Sequence, residues 1–272
     1  MARRVNPDLM KTRQDDSSGI DLGDVDEDAT VELKRGDLER GDDSGGAETA
    51  AIALDYADDV SLVAEFQRAS ADLPPHRVGR VVRHTRETQI EAVVDLDGVG
   101  NTQVDCPIGF FGHMLEALGR HAHLDLTLSV RGDLHVDQHH TVEDTAIVLG
   151  EAIRKALGDR RGIWRTGWCR FPMDETLAEC AIDIAGRPHL VFEAAFTKDK
   201  VGEFHTDLTV EFFQAMAIAL GCNLHLTLVR GQNDHHKVEA LFKAFARALE
   251  MAVAVHPRAW AEIPSTKGHL DT

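Results

Sequence analysis

His139-His140-Thr141-Val142-Glu143 and His235-His236-Lys237-Val238-Glu239 repeat one pattern within a single chain. In a helix, positions i and i+4 share a face, so each segment projects an imidazole and a carboxylate side by side. Two such sets suggest two metal sites. A nitrogen and oxygen donor mixture suits Mn, Fe or Zn better than Ca or Mg, and no cysteine joins the clusters as a structural zinc site would require. The repeat extends upstream. Phe111 to Leu118 followed by Leu124 to Gly132 precedes the first cluster, and Val210 to Met216 followed by Leu224 to Gly231 precedes the second. Each half reads as helix, alternating strand, short loop, the His-His pair and then a long amphipathic helix, Ala146 to Leu157 or Ala240 to Val253. His113 and Glu211 hold matching positions. The inventory becomes His113, His139, His140, Glu143, Glu211, His235, His236 and Glu239, enough for two four-ligand sites related by a pseudo-twofold axis.

Elements that could hold these ligands are legible around them. Strands are expected over Arg80 to Arg86, Gln89 to Leu96 and Thr102 to Cys106 in the first half. Trp168 to Met173, Leu177 to Ile184 and His189 to Phe196 answer them in the second. Gly98 and Gly100 punctuate a turn; no third glycine or following helix start supports a nucleotide loop. Three strands, helix, strand, helix, written twice, predicts an α+β fold with a helical layer covered by two sheets. Arg120, Arg165 and Arg187 fall in expected loops or helix ends. Pro264-Ser265-Thr266-Lys267-Gly268 combines hydroxyls, a glycine-adjacent backbone nest and a compact cation, which together suit a phosphate.

Composition changes near residue 75. The first 70 residues hold 18 acidic against 8 basic side chains, within a formal net charge of −17 for all 272 residues. With Asp15 to Gly19 and Asp42 to Gly46 interrupting it, the segment 1–76 reads as an acidic disordered leader, with one short helix expected over 50–69. Residues 77–272 read as the duplicated domain, with halves of about 77–166 and 167–262 and a tail over 263–272. Asp26-Glu27-Asp28-Ala29-Thr30 matches a phosphatase nucleophile motif by chance, since no apolar strand precedes it. Cys106, Cys169, Cys180 and Cys222 lack CxxC spacing, which fits reduced thiols in a cytoplasmic protein. No apolar run is long enough to span a bilayer, and the acidity disfavours nucleic acid.

Ordered motifs over about residues 79–269 then resemble the imidazoleglycerol-phosphate dehydratase family of histidine biosynthesis. They are Arg86-Glu87-Thr88, Phe110 to Leu115, Arg120-His121, His139 to Ala146, Met173 to Leu177, Gly186 to Pro188, Asp234 to Leu249 and Pro264 to Gly268. The resemblance implies a duplicated fold like the second domain of ribosomal protein S5, with a helical bundle between sheets. It also implies a homo-oligomer of 24 subunits built from trimers, with two Mn ions per active site bound between subunits. One ion would take His113, His140, His235 and Glu239, and the other His139, Glu143, Glu211 and His236. The implied substrate-binding residues are Glu87, His113, Arg120, His121, Arg165, Arg187, Ser265, Thr266 and Lys267. Glu87, Glu143 and Glu239 are the candidate carboxylates for catalysis, Glu87 foremost for proton transfer. The implied reaction removes water from imidazoleglycerol phosphate to give imidazole acetol phosphate. The chain departs from the family pattern at Glu211 (usually His), Gly112 (usually Asp) and Pro107 (usually Gly). A catalytically impaired paralogue that keeps metals and assembly is the alternative; a ferritin-like di-metal oxidase would need an all-helical bundle.

Overall fold

The computed structural model describes residues 76–270, so the leader and its expected helix lie outside the described residues. The first half supplies β1 (Val78–His84), β2 (Thr88–Asp95), β3 (Thr102–Asp105), α1 (Gly109–His121), β4 (Asp125–Gly132) and α2 (His139–Leu157). The second supplies β5 (Thr166–Met173), β6 (Thr176–Asp183), β7 (His189–Glu193), β8 (Lys200–Val201), β9 (Phe204–His205), α3 (Leu208–Leu220), β10 (Asn223–Arg230) and α4 (Asp234–Val253). The architecture is α+β, as the sequence predicts.

The strands order β1-β2-β4-β3 in one sheet and β5-β6-β10-β7 in the other. These are the same topology written twice: antiparallel hairpins β1/β2 and β5/β6, antiparallel central pairs, and parallel pairs β3/β4 and β7/β10. A parallel pair needs a crossover, and α1 and α3 provide it. Alternation buries Ile90, Ala92 and Val94 on β2, and Ala178, Cys180 and Ile182 on β6. Those faces meet the helices: α2 packs on β1 and β2, α4 on β5 and β6, α1 on α4, and α2 on α3. One continuous apolar cluster results, running from Val81 to Val253 and including Phe111, Phe204, Phe212, Phe213, Phe242 and Phe245.

Two glycines show how closely the halves copy each other. A Cβ on Gly79 of β1 would lie 1.9 Å from the Ala152 carbonyl oxygen of α2, and one on Gly167 of β5 would lie 2.0 Å from that of Ala248 in α4. Only glycine lets strand and helix backbones approach so far, and the approach recurs at twin positions. These contacts fix the helix that carries each His-His pair against the hairpin of its own half.

The structure also corrects some boundaries. The helices begin at His139 and Asp234, before the expected Ala146 and Ala240, so both clusters sit in the first turns. β1 ends at His84, and β7 ends at Glu193, short of Phe196. The chain after β7 forms the small β8/β9 hairpin that sequence periodicity missed, anchored where Phe204 stacks on Phe111 at 5.6 Å. Strands of two residues are too short to show alternation.

Candidate active site

Glu239 is the centre of the first cluster. Its side chain is 6% exposed, with His235 Nε2 at 3.1 Å from Oε2 and His113 Nε2 at 3.7 Å from Oε1. Burial pushes its carboxyl up, but Lys243 Nζ at 2.7 Å and the two imidazoles more than offset this and hold the net value low. Lys243 lies over the Phe171 ring, and the Phe110 ring sits 5.0 Å from that of His235. Helices α1 and α4 thus bring His113 and His235 each towards one oxygen of Glu239.

The matching cluster on α2 is more open. His139 Nε2 lies 3.8 Å from Glu143 Oε2, both side chains being over two-fifths exposed. Glu211, in the first turn of α3, is half-buried and makes no ion pair with His139 or any other described residue. His205 lines the same cavity of about 170 Å³ as His139, together with Asp137 and Asp207. Gln138 steadies it, donating from Nε2 to the Glu203 carbonyl and accepting from the His205 N–H. Sequence reasoning missed His205 because it lies outside the repeated segment. The signal available was only an isolated histidine just ahead of α3.

His140 and His236, the second members of each pair, point elsewhere. His140 Nδ1 is 3.2 Å from Asp133 and 4.0 Å from Glu87, and the hydrogen bond with Asp133 raises its pKa. His236 Nδ1 is 2.8 Å from Glu175. Glu175 in turn accepts the N–H groups of Gln232 and Asn233 at 3.0 and 2.8 Å. The Asn233 N–H, His236 and the Gln232 N–H hold the Glu175 carboxyl far below the usual range. Among the described residues, no three ligand-type side chains close on one point.

The donor chemistry nevertheless fits a transition-metal ion. Atoms bound to one ion at about 2.1 Å lie about 3 Å apart when at right angles, close to the 3.1–3.8 Å separations here. Those separations join His113 and His235 each to Glu239. His139 is joined likewise to Glu143, with Glu211 and His205 on neighbouring elements.

A separate cavity of about 360 Å³ is lined by Arg165, Arg187, Ser265, Thr266, Lys267 and His269. Lys267 N–H donates to Ser265 Oγ at 3.2 Å, and Gly268 adopts φ +73°, so the tail curls into a compact turn. Arg165 holds this tail: its guanidinium grips Asp183 at 2.6 and 2.8 Å and donates to the Pro264 carbonyl at 2.9 Å. Arg187 and Lys267 remain as the cations facing the space. Arg120 does not line it; its Nη1 reaches the Gly100 carbonyl. His121 lies near Phe171, and burial, Lys243 and Arg247 keep its pKa low. Glu87 borders another cavity with Arg86, Arg131 and Asp133, its turn held by Thr85 Oγ1 accepting the Glu87 and Thr88 N–H groups.

Comparison with known proteins decides what family carries this arrangement. The family model for imidazoleglycerol-phosphate dehydratase matches residues 106–249. The chain belongs to the imidazoleglycerol-phosphate dehydratase family. Relatives of that name from Acidiphilium cryptum and Azorhizobium caulinodans are 57% and 54% identical over 194 residues, spanning 71% of this chain and 99% and 98% of theirs. The Staphylococcus aureus crystal structure superposes with a TM-score of 0.60 at 38% identity, covering 65% of this chain and 99% of that one. A Pyrococcus furiosus family structure in complex with (S)-C348 gives 0.61 at 31% identity, covering 70% and 100%. As a member of this dehydratase family the chain is a carbon–oxygen hydro-lyase. Among the described residues no helix is long and apolar enough to cross a membrane.

Proposed function

We propose that this protein removes water from imidazoleglycerol phosphate to form imidazole acetol phosphate in histidine biosynthesis, using two manganese ions shared between subunits of a homo-oligomer. The observation that carries the reading is the phosphate-type cavity of Arg187, Ser265, Thr266 and Lys267 on a chain that also repeats an imidazole and carboxylate cluster. His113, His235 and Glu239 would hold one ion with His140 of another copy. His139, Glu143 and Glu211 would hold the second with His236 of another copy. Such sharing explains why His140 and His236 diverge from their partners in the single chain. Bound there, the ions supply Lewis-acid polarisation of the substrate's imidazole ring.

The protein's own groups do the rest. Arg187 and Lys267 neutralise the phosphate, while Ser265 and Thr266 donate to its oxygens. Tail anchoring by Arg165 sets the distance between phosphate and ring, which turns binding energy into orientation. Hydroxide leaves from the carbon attached to the ring, a proton leaves the neighbouring carbon, and the resulting enol becomes the ketone. Glu87 takes that proton, since its carboxylate is exposed, unpaired with any arginine and 4.0 Å from His140. Lys243 helps hold the Glu239 carboxyl low against its burial, and burial with Lys243 and Arg247 lowers the His121 pKa.

Supplying the purified protein with imidazoleglycerol phosphate and manganese tests the reading; absence of the ketone product refutes it. The same assay addresses the impaired-paralogue alternative, which rests on the departures from the family pattern at Glu211 and Gly112. Two four-stranded sheets are incompatible with a ferritin-like oxidase.

A further inference from the structure

We propose that Glu175 is a positioning residue that fixes the metal-binding tautomer of His236, and that its twin Glu87 is free for proton transfer because Asp133 performs the matching task at His140. The proposal rests on the metal reading above.

The two glutamates are duplicates in place. Glu87 sits in the β1/β2 turn immediately before the buried Thr88, and Glu175 in the β5/β6 turn immediately before the buried Thr176. The Gly79 and Gly167 approaches dock both hairpins on their helices in the same register. Each turn therefore brings a carboxylate to the second histidine of its half. The outcome differs. Glu175 Oε2 lies 2.8 Å from His236 Nδ1, whereas Glu87 Oε2 stands 4.0 Å from His140 Nδ1, where Asp133 Oδ2 has moved in at 3.2 Å.

The linker between the shared Arg-Gly and each His-His pair accounts for the divergence. It runs from Asp133 to Gln138 in the first half but only from Gln232 to Asp234 in the second. The longer linker has room to fold a side-chain carboxylate back onto His140. The shorter one instead spends its own N–H groups, those of Gln232 and Asn233, on Glu175 Oε1. With Oε1 pinned, Oε2 accepts the Nδ1–H of His236, leaving the Nε2 lone pair for an ion. Asp174 Oδ2, 3.7 Å from Nε2, is the other carboxylate on that side. One duplicated glutamate has become an orienting group, and the other stands half exposed to solvent 4.0 Å from its histidine.

Glu175→Gln separates these roles. The amide oxygen must face the two backbone N–H groups, so the amide nitrogen faces Nδ1 and moves the ring proton to Nε2. Manganese titrated into metal-free protein should then show one of two equivalents weakened about 10–100-fold, with a thermal midpoint near that of the parent. Adding Glu175→Gln to His236→Ala should weaken binding no further. Additive losses, or unchanged affinity in Glu175→Gln, overturn the proposal. Should that variant fail to fold, Glu87→Gln reads the same division from the other half: turnover falls while both manganese equivalents stay. Loss of an equivalent there also overturns it. If the parent protein itself binds no manganese, the metal reading fails, and this proposal with it.

Discussion

Lys237→Met tests how the first turn of α4 is held. Asp234 is fully buried at the side chain, with Lys237 Nζ 2.7 Å from Oδ1 and itself 5% exposed. Burial alone would raise the Asp234 pKa, but Lys237, Thr197 and Lys198 bring it down to about 2. Removing one partner of a buried pair costs about 3–5 kcal/mol, because the remaining charge is stranded. Here Oδ2 keeps the Thr197 N–H at 2.9 Å, the Thr197 hydroxyl at 2.7 Å and the Lys198 N–H at 2.7 Å, which places the cost near the low end, about 3 kcal/mol. For a domain of this size each kcal/mol moves the thermal midpoint by roughly 2–4 °C, so a fall of about 6–12 °C is expected. The melt should use metal-free protein at fixed concentration, since assembly and metal shift apparent stability. Combining Asp234→Asn with Lys237→Met removes both charges and should recover part of the loss. A Lys237→Met midpoint within about 1 °C of the parent would refute the reasoning.

Three further outcomes are expected. Lys267→Ala should raise KM about 10–100-fold with metal content unchanged, since a charge-assisted phosphate contact contributes on the order of 1.5–3 kcal/mol; an unaltered KM removes the tail from the site. Glu211→His replaces an anionic oxygen with neutral nitrogen, so turnover per bound ion should rise as the metal becomes a stronger Lewis acid; identical rate and manganese affinity would show that Glu211 is not a ligand. Asp125 accepts the N–H groups of Val99 and Asn101, and these outweigh burial to lower its pKa. Its contribution is therefore present above the ordinary carboxylate pKa of about 4 and lost as pH falls through the lower folded value. The midpoint gap between parent and Asp125→Asn should close on acidification, and a gap constant from pH 6 to 2 contradicts this.

The duplicated topology was legible because its signals are periodic and repeated: burial alternates along β2, β4 and β6 and along β10 as far as Leu226, and the His-His pairs mark both long helices. The pairing of Glu239 with His235 was legible for the same reason, since it is an i, i+4 relation that a helix enforces. Arg187 and Lys267, both noted in the sequence as loop cations, line one cavity, but Arg165 spends its guanidinium on Asp183 and Pro264, a pairing between segments far apart in sequence. Asp133, Glu175, Lys243 and His205 escaped notice as contributors to the ligand clusters. Asp133, Glu175 and His205 reach their partners through turns or a two-residue strand that carry no periodic signal, whereas Lys243 stands one helical turn from Glu239 and was legible by the same i, i+4 rule. His140 and His236, assigned by the family resemblance to the two ligand sets, do not meet the other residues of those sets within the chain and instead face Asp133 and Glu175.

The most direct test of the account is turnover against manganese equivalents per chain, starting from protein verified as metal-free by elemental analysis. Dehydration of imidazoleglycerol phosphate should be absent without metal and should rise to a plateau at two equivalents. Full turnover in metal-free protein, or saturation at one equivalent, would contradict a site built from two ions and the repeated His-His clusters.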